Sequence, residues 1–316
     1  LKNRKCPGIK KVKPKIGREP TNEANLLYTP FTLEELDVAM ARMKEKKAPG
    51  LDEIRTEQIK NFGQQTKRWL LELYNNCIKC VKIPVIWRKS RIIALIKPGK
   101  QPTEAKNFRP ISLLCHTYKL LERLILNRIN DIVDKSLINE QAGFRGGKSC
   151  TGQILNLTQN IENGYEEKMV TGAVFIDLTA AYDTINHRIL FKKMYEITRD
   201  YNLTSFIAEM LRNRRYFVEL QGKKSRWRTQ KNGLAQGSAL APLLFNIYTN
   251  DQPTPLGTQR FIYADDLALT AQNRSFGNIE STLNNALEEM SIYYKKNWLK
   301  PNPNKTQVCT FHLRDR

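Results

Sequence analysis

The chain reads as an α+β protein, and three observations predict this. Apolar residues recur at helical spacing over several long stretches, as in Leu121, Ile125, Ile129 and Ile132. Apolar runs of strand length come in neighbouring pairs joined by turn residues, which is the pattern of antiparallel hairpins. With 316 residues, 41% of them hydrophobic, the chain can bury a large core as one big domain or two modest ones.

Residues 1 to 18 carry eight Lys and Arg side chains and no acid, broken by Pro7, Pro14 and Gly17, so the stretch to residue 30 reads as a basic arm. Thr32 with Glu35 makes a capping box ahead of Leu36, Met40 and Met43, predicting a helix to about Lys47 that stops before Ala48-Pro49-Gly50. A second helix is predicted from about Lys67 to Lys82. Arg91 to Ile96 reads as a buried strand ending in the turn Lys97-Pro98-Gly99-Lys100, with Phe108 to Ser112 as its antiparallel return. The helix through Leu121 follows, then a loop marked by Gly143, Gly146 and Gly147, another helix, and the apolar run Gly172 to Leu178 as a central strand. Tyr216 to Leu220 and Arg226 to Gln230 flank Gly222-Lys223-Lys224 as a basic hairpin, and Pro242 to Tyr248 reads as a helix. Arg260 to Ala271 is a hairpin with Asp265 and Asp266 at its tip. A helix from about Phe276 to Lys296 and a strand near Thr306 to Phe311 complete the order.

The net charge of +21 attracts a polyanion, although ribosomal proteins and binders of anionic membranes share that excess. No stretch reaches the roughly 20 apolar residues that cross a bilayer, and no signal peptide opens the chain, so no membrane partner is expected and the protein reads as intracellular. Cysteines at 6, 77, 80, 115, 150 and 309 are too sparse for a disulfide scaffold. Cys77 and Cys80 form a CxxC, but no second ligand pair follows, and with Leu73 they fall on one helical face as core thiols.

Asp177 ends an apolar strand, and Asp265 and Asp266 interrupt an apolar hairpin. One such acid is ordinarily a cap or turn residue. Three on neighbouring core strands repel one another, and the repulsion is relieved only by protons or bound cations. Magnesium combines a few carboxylates with substrate phosphates, so the trio suits two ions holding a nucleoside triphosphate for in-line displacement, with manganese as a substitute.

Two segments, Phe175-Ile-Asp-Leu-Thr-Ala-Ala-Tyr-Asp183 and Phe261-Ile-Tyr-Ala-Asp-Asp-Leu267, resemble the metal-binding palm motifs of reverse transcriptases in order and separation. Between them, Asn232-Gly-Leu-Ala-Gln-Gly-Ser-Ala-Leu-Ala-Pro-Leu-Leu-Phe245 is similar to the template-and-nucleotide motif of non-LTR retrotransposons. Upstream, Lys47 to Asp52, Phe108 to Leu114 and Gln141 to Arg145 resemble finger motifs of that class, and the whole looks most like Jockey-type elements.

The resemblance implies a right-hand polymerase of fingers and palm, with an antiparallel palm sheet backed by helices: fingers over 31–170 and palm over 171–316, ending before a primer grip and thumb. It implies RNA-directed DNA synthesis from dNTPs on a DNA primer and an RNA template, with low processivity for this stretch alone. An upstream endonuclease domain in a parent polyprotein, made in the cytoplasm and acting in the nucleus, is also implied. Asp177 and Asp265 would be the principal metal ligands, Asp266 the weaker third, and Asp183 a structural brace.

Tyr182 stands where the family sets an aromatic gate against the ribose 2′-hydroxyl, in a place where Phe is commoner; a buried core tyrosine is the alternative. Gln236 and Gly237 would approach the nascent base pair, with Ala235 where Pro is frequent. Arg109 and Lys97 would hold the triphosphate, and Lys305 would protonate leaving pyrophosphate; solvated surface is the alternative for both lysines. Basic clusters from Lys82 to Lys100 and Arg212 to Lys231 mix with aromatic residues as nucleic-acid surfaces do. An RNA-dependent RNA polymerase and a decayed, non-catalytic nucleic-acid-binding module are the rival readings.

Overall fold

The computed structural model describes residues 26, 27 and 29–313, so the basic arm lies almost wholly outside the described residues. The element order is α1 (Leu33–Ala41), α2 (Thr56–Lys60), α3 (Gln64–Cys80), β1 (Lys89–Ile96), β2 (Phe108–Leu113), α4 (His116–Ser136), α5 (Cys150–Glu166), β3 (Val170–Ile176), α6 (Ala181–Thr184), α7 (His187–Thr198), α8 (Tyr201–Leu211), β4 (Arg215–Leu220), β5 (Lys223–Lys224), β6 (Arg228–Thr229), α9 (Ala241–Thr249), β7 (Gln259–Tyr263), β8 (Asp266–Asn273), α10 (Phe276–Lys296) and β9 (Gln307–Phe311). The fold is mixed α+β, with two sheets.

The Thr32 capping box forms as the sequence predicts, Thr32 Oγ1 accepting from the Glu35 amide and Glu35 answering to the Thr32 amide. Helix α1 nevertheless ends at Ala41 rather than near Lys47. Beyond Met43 the run Lys44 to Lys47 is exposed and has nothing apolar to bury, and Lys46 takes a left-handed φ of 54°. Helix α4 is the central helix, with Leu120, Leu121, Leu124, Ile125, Ile129 and Val133 all buried. Cys77 packs into the core, but Cys80 at the last turn of α3 is exposed, so the two thiols do not share a buried face.

The four-stranded sheet runs β7-β8-β3-β9, antiparallel throughout. Its centre, β3, is buried along almost its whole length because α10 lies across one face. A Cβ on Gly172 would come within 2.4 Å of Ile279 Cγ2 on α10, so the missing side chain lets the helix seat directly on the strand.

The five-stranded sheet runs β2-β1-β4-β5, with β6 also paired to β4. The β1–β2 hairpin is antiparallel as predicted, with Ile96 opposite Phe108 and Arg91 opposite Leu113. Strand β4 joins it in parallel, Lys89 opposite Arg215, a pairing between distant stretches that hairpin reasoning does not reach. Helices α2, α7 and α8 also lack a sequence prediction, although Asn186 and Asp200 cap α7 and α8 with their side chains. Among the described residues no helix is long and apolar enough to cross a membrane, and Cys77, Cys80, Cys115, Cys150 and Cys309 are free thiols.

Candidate active site

The β3–β8 register pairs Ile176 with Leu267, and its next step brings Asp177 level with Asp266; Asp265 stands beside them in the β7–β8 turn. Burial, then the mutual repulsion of the acids, raises the pKa of Asp265; burial and Asp177 do the same for Asp266, while Lys305 pulls both back. Lys305 Nζ lies 3.2 Å from each Asp177 carboxylate oxygen, and Asn302 donates its backbone amide to the Asp177 carbonyl at 2.8 Å and its side-chain amide to Oδ2 at 3.3 Å. Asn302 lies three residues before Lys305, and its grip on Asp177 is a feature that sequence reasoning missed. An open cleft of about 530 Å³ is lined by Asp177, Asp266, Lys305, Tyr263 and Gln153.

The turn bearing the acid pair is braced from beneath. Ala264 adopts a left-handed φ of 59°, a conformation that a non-glycine residue keeps only when its surroundings hold it. Gln141 supplies the hold: its Oε1 accepts from the amides of Gly143 and Ala264, each at 2.8 Å, and its Nε2 donates to the Ala264 carbonyl at 3.1 Å. A Cβ on Gly143 would fall 2.2 Å from the Ala264 nitrogen, so glycine is what admits this approach. The segment Gln141 to Arg145 is therefore bonded to the carboxylate turn, and Arg145 is spent on Asp134 and nearby carbonyls.

Tyr182 stacks flat on Phe245, ring centroids 4.9 Å apart, and meets the edge of Phe144. Burial first and the charge of Asp265 second push its phenol pKa upward. A hollow of about 340 Å³ joins Tyr182 with Ala235, Gln236, Gly237, Ser238 and Pro242. Gly237, at φ 119°, lets the loop pass β2: an added Cβ would be 2.7 Å from the Ser112 carbonyl, and the Ser112 amide donates to the Gln236 carbonyl at 2.8 Å. The backbone at Asp183 passes close to Gly233, its carbonyl 2.8 Å from where a Gly233 Cβ would lie, so glycine admits the approach, and burial of its carboxyl raises the Asp183 pKa.

Glu122, buried on α4, fixes the far side of that loop, accepting from Ser238 Oγ at 2.6 Å and the Ala239 amide at 2.8 Å. Burial raises its pKa, and those two donors with the charges of Arg214 and Lys119 bring it only part of the way back. Its one sequence signal is an acid on the apolar face of a helix. Arg109 sits exposed on β2, and its side chain makes no hydrogen bond or ion pair among the described residues. The Lys97 ammonium instead donates to the Lys106 carbonyl at 2.8 Å, tying the turn at the end of β1.

Among the described residues, no three His, Cys, Asp or Glu side chains are gathered closely enough to form a ready-made metal cage. The donor set still fits a hard divalent cation: oxygen ligands only, partly buried, two of them with raised pKa values that positive charge would lower.

The reverse transcriptase (RNA-dependent DNA polymerase) family profile matches residues 96–313. Over 92% of its length the chain is 32% identical to the probable RNA-directed DNA polymerase from transposon BS of Drosophila melanogaster, covering 33% of that protein. It is 30% identical over 89% of its length to the RNA-directed DNA polymerase from mobile element jockey of Drosophila funebris, covering 32% of it. The chain thus spans about a third of the length of these relatives. Among solved structures, apo telomerase from Candida tropicalis, truncated from its C-terminal domain, superposes with a TM-score of 0.52 at 14% identity, covering 79% of this chain and 56% of that one. On the family match and the extent of the shared sequence, this chain belongs to the reverse transcriptase family.

Proposed function

We propose that the chain catalyses RNA-directed DNA synthesis in a non-LTR retrotransposon polyprotein, joining dNTPs to a DNA primer on an RNA template. The observation that carries this is that β3 and the β7–β8 turn bring Asp177, Asp265 and Asp266 to one end of the sheet, while Tyr182 shares a hollow with Gln236 and Gly237. On this reading 31–170 form the fingers and 171–316 the palm, which holds the four-stranded sheet and lends β4 to β6 to the sheet begun by β1 and β2.

Asp177, Asp265 and Asp266 would hold two magnesium ions, which supply Lewis-acid stabilisation of the attacking and leaving oxygens. The primer 3′-oxygen bonds to the α-phosphorus as its bond to pyrophosphate breaks, and the hydroxyl proton leaves to solvent. Tyr182, kept upright by Phe245, occupies the space of a 2′-hydroxyl. The Gln236–Gly237 backbone, tied to Ser112, lies along the nascent base pair. Arg109 has its guanidinium uncommitted and would take triphosphate oxygens bidentately. Lys97 adds charge to the same turn. Lys305 must leave Asp177 in order to protonate pyrophosphate, so the ion pair is a resting arrangement.

The test is extension of a labelled DNA primer on an RNA template with magnesium and dNTPs. Synthesis lost in Asp265→Asn, and ribonucleotides accepted by Tyr182→Ala, are the expected results. Tight RNA binding without any extension would leave the non-catalytic binding module as the reading.

A further inference from the structure

We propose that Phe144 is a positioning residue for the sugar-selecting ring of Tyr182; this rests on the polymerase reading above. Phe144 combines two features that burial does not explain. Its backbone is left-handed, at φ 61°, where a bulky side chain is strained and glycine is at ease. Its ring nevertheless stays 54% exposed, so the strain is not offset by packing the side chain into the core. Strained backbone persists only where the surroundings hold it, and it gathers at sites of function.

Both chain neighbours of Phe144 are pinned. Asn246 Nδ2 donates to the Gly143 carbonyl at 2.9 Å, and the Gly143 amide donates to Gln141 Oε1 at 2.8 Å. On the other side the Arg145 guanidinium donates to both Asp134 carboxylate oxygens, at 2.7 and 3.1 Å, and to the Ile138 carbonyl at 2.8 Å. What the held backbone presents is the Phe144 ring, at 83° to the ring of Tyr182 with centroids 6.4 Å apart.

The two rings that meet Tyr182 constrain it differently. Phe245 lies parallel to it, with 4° between the planes, and a parallel contact resists tilting but lets one ring slide over the other. The edge contact with Phe144 stops that slide. Helix α9 supplies both restraints, since Phe245 stacks directly and the next residue, Asn246, holds the loop that carries Phe144. A ring that excludes a 2′-hydroxyl discriminates only as well as its place is kept, because a small sideways shift opens room for an oxygen atom. Gln141 joins the same segment to Ala264, so residues 141–145 also hold the Tyr182 ring and the carboxylate turn at one spacing.

The experiment measures kcat/KM for a dNTP and for the matching rNTP in primer extension on an RNA template. Wild type is compared with Phe144→Ala, Phe144→Gly, Phe144→Tyr, Tyr182→Ala and the double variant of Phe144→Ala with Tyr182→Ala. Phe144→Ala should lower the preference for dNTP by about three- to tenfold, the size of one aromatic edge contact. Phe144→Gly should lose the preference equally yet melt higher than Phe144→Ala, since glycine takes the left-handed backbone without strain, and it serves where the alanine variant folds poorly. Phe144→Tyr keeps the ring and should stay within about twofold of wild type. The double variant should discriminate no worse than Tyr182→Ala alone, because Phe144 acts through that ring. Equal falls in kcat/KM for both nucleotides, with the preference unchanged, would mean that Phe144 is merely structural and overturn the inference. A further loss in the double variant would overturn it too, by showing that Phe144 meets the sugar itself. Wild type that extends nothing sinks the polymerase reading instead. A cycle of melting temperatures over the two alanine variants and their double then tests the ring contact without synthesis, and additive shifts would deny it.

Discussion

The four-stranded sheet that carries the aspartates is buried along its central strand and braced beneath its acid-bearing turn, whereas the five-stranded sheet is thin, basic and largely open. Strand β3 is buried at six of seven positions and lies under α10; β5 and β6 are fully exposed, and the end of β1 at Leu95 and Ile96 faces solvent. Repelling carboxylates keep a fixed spacing only if the backbone beneath them cannot yield, so Gln141, Gly143 and Asn302 are all spent on that backbone. A flexible polyanion asks for no such spacing. It needs a field, which basic side chains on an open sheet supply at little cost in buried structure.

The contrast breaks most sharply at Asp265. Asp265→Asn should cut primer extension about 10²–10³-fold, as loss of a preorganised electrostatic group does, yet leave the fold intact. Because the native pKa of Asp265 is raised, the folded state holds its proton more tightly than the unfolded chain. Wild type therefore loses stability, relative to the variant, as pH rises from the ordinary aspartate value of about 4 through the raised one. At neutral pH the Asn variant should melt higher, and added magnesium should raise the Tm of wild type more than that of the variant. A variant that melts lower at neutral pH would mean that the three carboxylates do not strain one another.

Gly143→Ala comes next. Its Cβ would press on the Ala264 amide, costing about 1–3 kcal/mol of overpacking strain, measurable by denaturant unfolding, and extension should fall with the displaced turn. Glu122→Ala should cost about as much, since it strands the Ser238 hydroxyl and the Ala239 amide. Its signature is a raised KM for dNTP, largely restored in Glu122→Gln. The smallest effects belong to the open sheet. Arg109→Ala should leave stability within about 0.5 kcal/mol, having no partner to lose, while raising KM for dNTP about tenfold. Lys97→Ala, which gives up one exposed hydrogen bond, should cost about 0.5–1 kcal/mol in stability and less in KM than Arg109→Ala.

The two regions also differ in how much of them the sequence discloses. Local patterns are legible: α10 spans Phe276–Lys296 as its periodicity predicts, and the β7–β8 hairpin turns at the acid pair. Pairings between distant stretches are not. The β1–β4 ladder joins segments whose apolar runs say nothing about each other, so the continuity of β2 with β4 emerges only from register. Within the site, Asp177 and Asp265 stand out because charge interrupts apolar runs. Gln141 carries no such signal, since its role depends on a left-handed alanine more than a hundred residues away. Cys80 shows the converse, where correct spacing misleads because the helix ends there and the last turn faces solvent.

The seating of α10 on Gly172 constrains how this sequence can change length. Gly172 and Asp177 lie five residues apart on β3, one turned to the helix and the other carried past the strand end to its partners. Inserting or deleting a single residue between them would invert one of the two, setting a side chain against α10 or turning the carboxylate away from Asp266. Loops elsewhere can lengthen residue by residue, but this strand can gain or lose residues only two at a time, so natural variation in its length should fall in even steps.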